Sequence, residues 1–342
     1  MIYFNFLDPC YDALLKPFFN RLMNRKIICI GGITVDRKLT SIHKLQLGTS
    51  NPVSSMSTFG GVAHNVANNL ALLTDNVHLY SVVGKDNYGL QAIAHLKSMD
   101  IQIQNILTLP NKPTAHYDVI LDNEGELFLA LADMEIFDHV PFEQFTRSWS
   151  EWGNKEIVFL DTNLPQEIIE YAIQIARIQN IKLCIDPVSV IKAKKLPACL
   201  EHVFLLKPDR FETEALTHTH IHSVSDCIKA GQLLLDKGVK NCIISLGKSG
   251  YVIVNETTQK HFPAFPIETI VDVSGAGDAF IAGILYELKH ERPIIDACQT
   301  GAAMAALTVQ SCHTVNKQID HEALKNIQPK YKIRETDYEA IF

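Results

Sequence analysis

The sequence predicts an α/β protein: a mainly parallel sheet covered by helices on both faces. Three observations carry this. Short apolar runs alternate with helix-forming segments along most of the chain, the order that feeds parallel strands through helical crossovers. Small or carboxylate residues follow those runs at the ends where such sheets bind ligands. Two segments break the alternation and suit a small antiparallel lid.

The elements follow in order. Residues 1–25 read as an N-terminal extension. It lacks the basic start of a secretory leader, and Asp8 and Pro9 interrupt its apolar run. Leu14, Leu15, Phe18, Phe19, Leu22 and Met23 recur at helical spacing, so a short amphipathic helix is expected, with Met23 as an alternative natural start. The main unit spans 26–325 and a tail 326–342. "KIICIGGITVD" reads as a buried strand and a glycine turn. Residues 37–59 are polar and irregular, with Gly48 and Pro52. "GGVAHNVANNLALLT" opens a helix at a glycine pair. "VHLYSVVGKD" is a strand and "YGLQAIAHLKSMD" a helix. "TAHYDVILDNEGELFLAL" is a hairpin turning at Asn123-Glu124-Gly125, inside a second lid segment at 112–137. Beyond it, "EIVFLDTN", "KLCIDPVS" and "HVFLLKPDRFE" alternate with helices, and "NCIISLGKSGYVIV" precedes the last long helix. Asp36, Gly60-Gly61, Asn163, Asp186, Asp209 and Gly247 each follow a strand-like run and so are candidates for one shared crevice.

Composition narrows the function classes. Hydrophobic residues at 47% and charged ones at 20% suit a soluble globular chain with a sizeable core. The net charge of −7, with no basic block, argues against nucleic-acid binding, which needs clustered Lys and Arg. No apolar run approaches a membrane span. The eight cysteines form no CxxC pair, and Cys29, Cys184 and Cys242 lie in apolar runs, as expected of reduced thiols in a cytoplasmic protein.

The chemistry concentrates in "DVSGAGDAFIAGILYEL", Asp272 to Leu288. Gly275-Ala276-Gly277 at a helix start expose unpaired N–H groups at the positive end of the helix dipole, an anion cradle. A carboxylate beside it, Asp278, would repel an anion, but it has a use if it takes a proton from a hydroxyl attacking a phosphoryl group. The plain alternative is a strand-to-helix turn with an acidic first turn. Two standard nucleotide loops are absent: "GAGDAF" lacks the third Gly of a dinucleotide fingerprint, and Cys242 stands where a P-loop ending in "SLGKSG" needs Gly.

Together, "DVSGAGDAFIAGIL" and "GGVAHNVANNLALLT" resemble the C- and N-terminal signatures of the ribokinase-like (PfkB-type) carbohydrate and nucleoside kinases, in the family's order and spacing, over about Lys26 to Asp320. "SNP", "LADMEI", "DTN", "DPVSVIK" and "LKPDRFETE" further resemble the family's pseudouridine-kinase subgroup. The resemblance implies a three-layer α/β/α sandwich with a small antiparallel β lid, and use of ATP with Mg²⁺ and a monovalent cation such as K⁺. It implies Asp278 as general base and Gly275, Ala276 and Gly277 as anion hole. The 5′-hydroxyl of pseudouridine would be the acceptor, with another nucleoside or a sugar as the alternative. Asp36, Gly60, Gly61 and Asn65 match substrate-binding positions, and Asp133 and Asn163 are subgroup matches near substrate. Lys207, Gly247 and Gly250 match nucleotide-binding positions. Asp209 and Glu212 match a motif that places Mg²⁺ through water, with Asp209 standing where the family has Asn. Asp272 and Ser274 match monovalent-cation positions, Ser274 where Thr is commoner. Lids of relatives pair between subunits in some members, so the hairpin offers a homodimer surface.

Each residue also has a bland reading: Asp36 a turn, Asn65 and Asn69 an exposed polar stripe, Asp209 and Glu212 a charged helix start, Gly247 and Gly250 a hairpin turn, and Lys192, equally placed to approach a phosphate, a solvated lysine. For His218, His220 and His222 a polar loop is favoured over a zinc site, since no Cys accompanies them. A non-catalytic binding protein of the same fold is the reading from a different class; the intact Asp278 argues against it and Asp209 for it.

Overall fold

The computed structural model describes residues 25–327. The helix expected over residues 14–23, the alternative start at Met23 and the tail beyond residue 327 lie outside the described residues. In chain order the strands are β1 (Ile27–Ile30), β2 (Thr34–Ser41), β3 (Val53–Gly60), β4 (Val77–Gly84), β5 (Gln102–Leu109), β6 (His116–Leu121), β7 (Leu127–Asp133), β8 (Ile157–Asp161), β9 (Lys182–Asp186), β10 (Val203–Leu206), β11 (Asn241–Ser245), β12 (Tyr251–Val254) and β13 (Gln259–Phe262). The helices of eight residues or more are α1 (Val62–Ala71), α2 (Asn87–Ser98), α3 (Gln166–Gln179), α4 (Arg210–Thr217), α5 (Val224–Asp236), α6 (Ala276–Lys289) and α7 (Ile294–Thr308).

The main sheet runs β13-β12-β11-β10-β9-β8-β1-β4-β5. It is parallel from β11 to β5, and β12 and β13 fold back antiparallel at one edge. The central strands read as unbroken apolar runs because both their faces are covered. In β1, Ile27 and Cys29 pack with α1, α6 and α7 on one face. Ile28 and Ile30, one residue out of phase, pack with α3 and α5 on the other. Cys29, Cys184 and Cys242 are buried free thiols in these cores, and burial pushes all three up. No helix among the described residues is long and apolar enough to cross a membrane.

A second sheet, β3-β2-β6-β7, stands apart from the first. Two expectations change here. The segment 37–59 holds most of β2 and β3, two eight-residue strands paired antiparallel along their whole length. Nearly all of β3 is exposed, so its serines and threonines carry no apolar alternation, and backbone pairing holds it instead. The sheet is also mixed, not antiparallel throughout: β2 and β6 pair parallel, because the chain returns to β6 only after passing through α1 to β5 of the main unit. The expected hairpin is present between β6 and β7. Its turn is held by Asp122, whose Oδ1 accepts from the Glu124 and Glu126 amides at 2.9 Å each, and Gly125 takes a positive φ of 86°. The edge strand β5, half polar, carried too weak a pattern to be read from sequence.

Candidate active site

The first turn of α6 is bare. Gly275 has a φ of +78°, and no side chain caps the helix. A Cβ on Gly275 would lie 2.1 Å from the Thr314 carbonyl oxygen, so only glycine fits. A Cβ on Gly277 would lie 3.7 Å from the Lys207 ammonium, which therefore flanks the unpaired N–H groups of this turn. Asp278 follows, half-buried, and Asn65 Nδ2 donates to its Oδ2 at 2.8 Å. Burial pushes Asp278 up to about 7, reinforced by Asp186 and Asp161 and opposed by Asn65 and Lys207.

This turn is the wall between two cavities. The larger, about 1230 Å³, has Asp36, Asn65, Ser274, Gly275 and Asp278 in its wall, with Met56, Tyr117 and Leu127 of the second sheet facing them. The smaller, about 290 Å³ and mostly apolar, lies between the Gly247–Gly250 turn, Phe265, Ala276, Gly277 and the Ala302, Ala305 and Ala306 face of α7.

The substrate-side residues converge through tight packing. Burial pushes the Asp36 carboxyl up, and Thr34 Oγ1, donating at 2.8 Å, opposes this. A Cβ on Gly60 would lie 2.0 Å from Asp36 Oδ2. Gly61 has a φ of +96°, and its Cβ would lie 2.3 Å from the Gly32 carbonyl oxygen. The glycine pair thus has a demand inside the protein as well as any toward ligand. Gly61→Ala is expected to destabilise the fold by at least about 1–2 kcal/mol from the positive φ alone, read by urea unfolding; an unchanged midpoint would refute this backbone geometry. Asn65, Asn68 and Asn69 are all buried, so they are not an exposed stripe.

Asp161 went unnoticed in the sequence. It is fully buried and accepts from the Gly32, Ala63 and Asn163 amides at 2.9–3.0 Å, tying the β1–β2 turn and the start of α1 to the end of β8. Its only signal was a carboxylate ending an apolar run, shared with Asp186. Asn163, two residues on, is absent from the wall of the larger cavity: Lys192 Nζ donates to its Oδ1 and Lys195 Nζ to its carbonyl at 3.1 Å. Lys192 is thereby engaged and half-buried, with its pKa lowered first by burial. Asp133 ends β7, where its Oδ1 accepts from the Glu135 amide at 3.4 Å, and it too is absent from the cavity wall.

On the other side of α6, Lys207 Nζ pairs with Asp186 Oδ2 at 2.9 Å, both side chains buried. Burial alone would lower the lysine pKa; Asp186, Glu212 and Asp278 outweigh it and raise it. Asp209 and Glu212 form a capping box on α4. Asp209 Oδ1 accepts from the Glu212 amide at 2.7 Å, and Glu212 Oε2 from the Asp209 amide at 2.8 Å. Burial, then Asp186, pushes Glu212 up to about 7. The charged helix start is therefore what this geometry displays. Three carboxylates, those of Asp186, Glu212 and Asp278, still share one lysine, an excess of negative charge that fits an incoming cation. Among the described residues no group of three His, Cys, Asp or Glu stands close enough to hold a metal unaided. Mg²⁺ arriving with phosphates and water as its main ligands fits this set. Asp272 and Ser274 line the larger cavity; the Ser274 amide donates to Asp272 Oδ1 at 2.8 Å, and the Ser274 bonds outweigh burial to hold that carboxylate low.

Gly247 has a φ of +58° with open space at its Cα, whereas a Cβ on Gly250 would lie 2.1 Å from the Phe262 carbonyl oxygen. His218 closes α4 in the left-handed conformation, and the His220 and His222 rings stack at 6.3 Å.

The family model described as pfkB family carbohydrate kinase matches residues 24–320. The chain is 27% identical to the pseudouridine kinase of Escherichia coli, across 86% of this chain and 93% of that one. It superimposes on a putative sugar kinase from Clostridium perfringens with a TM-score of 0.78 at 27% identity, covering 90% of this chain and 96% of the other. On the ribokinase of Thermotoga maritima the TM-score is 0.76 at 22% identity, covering 89% and 99%, so the fold is ribokinase-like.

Proposed function

Because the chain belongs to the pfkB family of carbohydrate kinases, a family of phosphotransferases with alcohol acceptors, we propose that it transfers the γ-phosphate of ATP to the 5′-hydroxyl of pseudouridine. One observation carries the reading: the uncapped first turn of α6 separates two cavities, and Asp278 lies on the larger side while Ala276 and Gly277 lie on the smaller.

The division of labour follows from chemistry. The small apolar cavity suits a flat adenine between the Gly247–Gly250 turn and the alanine face of α7. Its phosphates would then reach the Gly275–Gly277 amides, donors fixed in place before charge develops on the transferring group. In the larger cavity Asp36 has two oxygens to accept from two vicinal ribose hydroxyls. That sets the primary hydroxyl toward Asp278, which removes its proton as it attacks in line. Asn65 fixes which Asp278 oxygen is free, since it already donates to Oδ2. Lys207 offsets part of the charge of Asp186, Glu212 and Asp278. Mg²⁺, when bound with the nucleotide, would neutralise phosphate charge, with Asp209 and Glu212 reaching it through water and Asp272 and Ser274 serving a monovalent ion. The second sheet would close the larger cavity against water, so that ATP is not spent on hydrolysis.

The test is ADP formation by purified protein with Mg²⁺ and K⁺, comparing pseudouridine, uridine, guanosine and ribose. The reading predicts kcat/KM for pseudouridine at least tenfold above the others. A preference for another acceptor would keep the kinase and change its substrate; acceptor-independent silence would favour a binding protein.

A further inference from the structure

The larger cavity, at about 1230 Å³, exceeds the roughly 300–1,000 Å³ of usual small-molecule clefts and leaves space beyond a pentose. One residue in its wall has unspent hydrogen-bonding capacity. Asn68 is 2% exposed; its Nδ2 donates to the His64 carbonyl at 2.9 Å and packs on the His64 ring, while its Oδ1 accepts nothing among the described residues. A buried acceptor without a donor carries an uncompensated desolvation cost. Asn68 lies three residues after Asn65 on α1, so their Cβ atoms are roughly 5–6 Å apart on one face. Asn65 holds Asp278, which puts Asn68 about one turn deeper, where the part of a ligand beyond the sugar would sit. Beside it the Phe59 and His95 rings stack at 5.7 Å and 25°, with His64 5.9 Å from His95. All three rings line the same cavity, with His64 tilted 58° to Phe59. Burial, then His95, holds His64 down to about 4 against its hydrogen bond with Asn65, so the His64 ring is uncharged at neutral pH.

We propose that Asn68 is the specificity-determining residue for the acceptor's heterocycle: its Oδ1 accepts a ring N–H while the Phe59–His95 wall packs against the ring face. The terminal torsion of asparagine is broad, so the carboxamide can turn its buried oxygen toward a ligand, exchanging its bond to the His64 carbonyl for one to the ligand. The inference rests on the nucleoside-kinase reading above, and it selects heterocycles with a ring N–H over free sugars.

The experiment measures binding by calorimetry, and turnover, for pseudouridine, its N1-methyl and N3-methyl forms, and ribose. Wild type and Asn68→Ala are compared. In the intact protein, methylation of one of the two ring nitrogens is expected to weaken binding by roughly 10–100-fold. In Asn68→Ala, KM for pseudouridine rises by a similar factor, kcat moves less, and the penalty for the methyl group disappears. Equal binding of both methylated forms to wild type overturns the proposal, even if the variant fails to fold. So does an Asn68→Ala that keeps the methyl penalty. Methyl-sensitive binding without turnover would defeat the kinase reading and leave Asn68 standing; turnover of ribose alone would do the reverse.

Discussion

Asp278→Asn is expected to lower kcat by about 10²–10⁴-fold, the usual contribution of a positioned general base, while leaving the fold intact. The amide keeps the shape and can still meet Asn65, but it cannot take a proton. The raised pKa gives the native protein a second signature. A base must be ionised, so kcat/KM should fall as pH drops through about 7, the value to which burial lifts Asp278. Stability runs the other way. A carboxyl whose pKa is higher folded than unfolded stabilises the fold below its unfolded value, near 4, and loses that contribution as pH rises through about 7. At pH 8 the variant should therefore unfold at the same or higher urea concentration than the native chain. A kcat/KM profile flat from pH 5 to 8 would remove Asp278 from the base's role.

Lys207→Met is expected to destabilise the protein by about 3–5 kcal/mol, the cost of stripping one partner from a buried ion pair. Lys207 and Asp186 side chains are 6% and 8% exposed at 2.9 Å, so water cannot replace the lost ammonium. Because Lys207 also lowers Asp278, the surviving activity should need a higher pH than the native enzyme. Asp186→Asn combined with Lys207→Met should recover part of the stability, since the uncompensated charge is then gone. Urea unfolding and a pH–rate profile read both effects. A neutral Lys207→Met would mean that the ammonium is solvated, and the charge arrangement around α6 would need to be redrawn.

Both effects centre on residues that sequence reasoning could reach, for a physical reason. Gly275-Ala276-Gly277-Asp278 and the glycine pair before α1 are local: the backbone conformation, the helix start and the reactive side chain are contiguous in the chain. The buried parallel strands were equally legible, because both their faces are covered and their apolar runs are continuous. What escaped was set by distance. Asp161 takes its role from amides in the β1–β2 turn, at the start of α1 and just past its own strand, which no short window shows. Asn163 was a candidate because it follows a strand-like run and matches the subgroup pattern, yet its side-chain oxygen accepts from Lys192. Asn68 and His95 come to one wall from different helices, and the asparagines of α1 look like a solvent face until α6 covers them. The segment of β3 was expected in the lid but read as irregular, because an exposed strand held by backbone pairing needs no apolar pattern.

The central claim is that the first turn of α6 places one primary hydroxyl against Asp278 with the nucleotide on its other side. The most direct measurement is phosphorus–proton NMR of the product formed from ATP and pseudouridine. The account predicts a single phosphomonoester on the 5′-oxygen, formed in equal amount with ADP. Phosphate on a 2′- or 3′-oxygen, or free inorganic phosphate with the nucleoside unchanged, would contradict it.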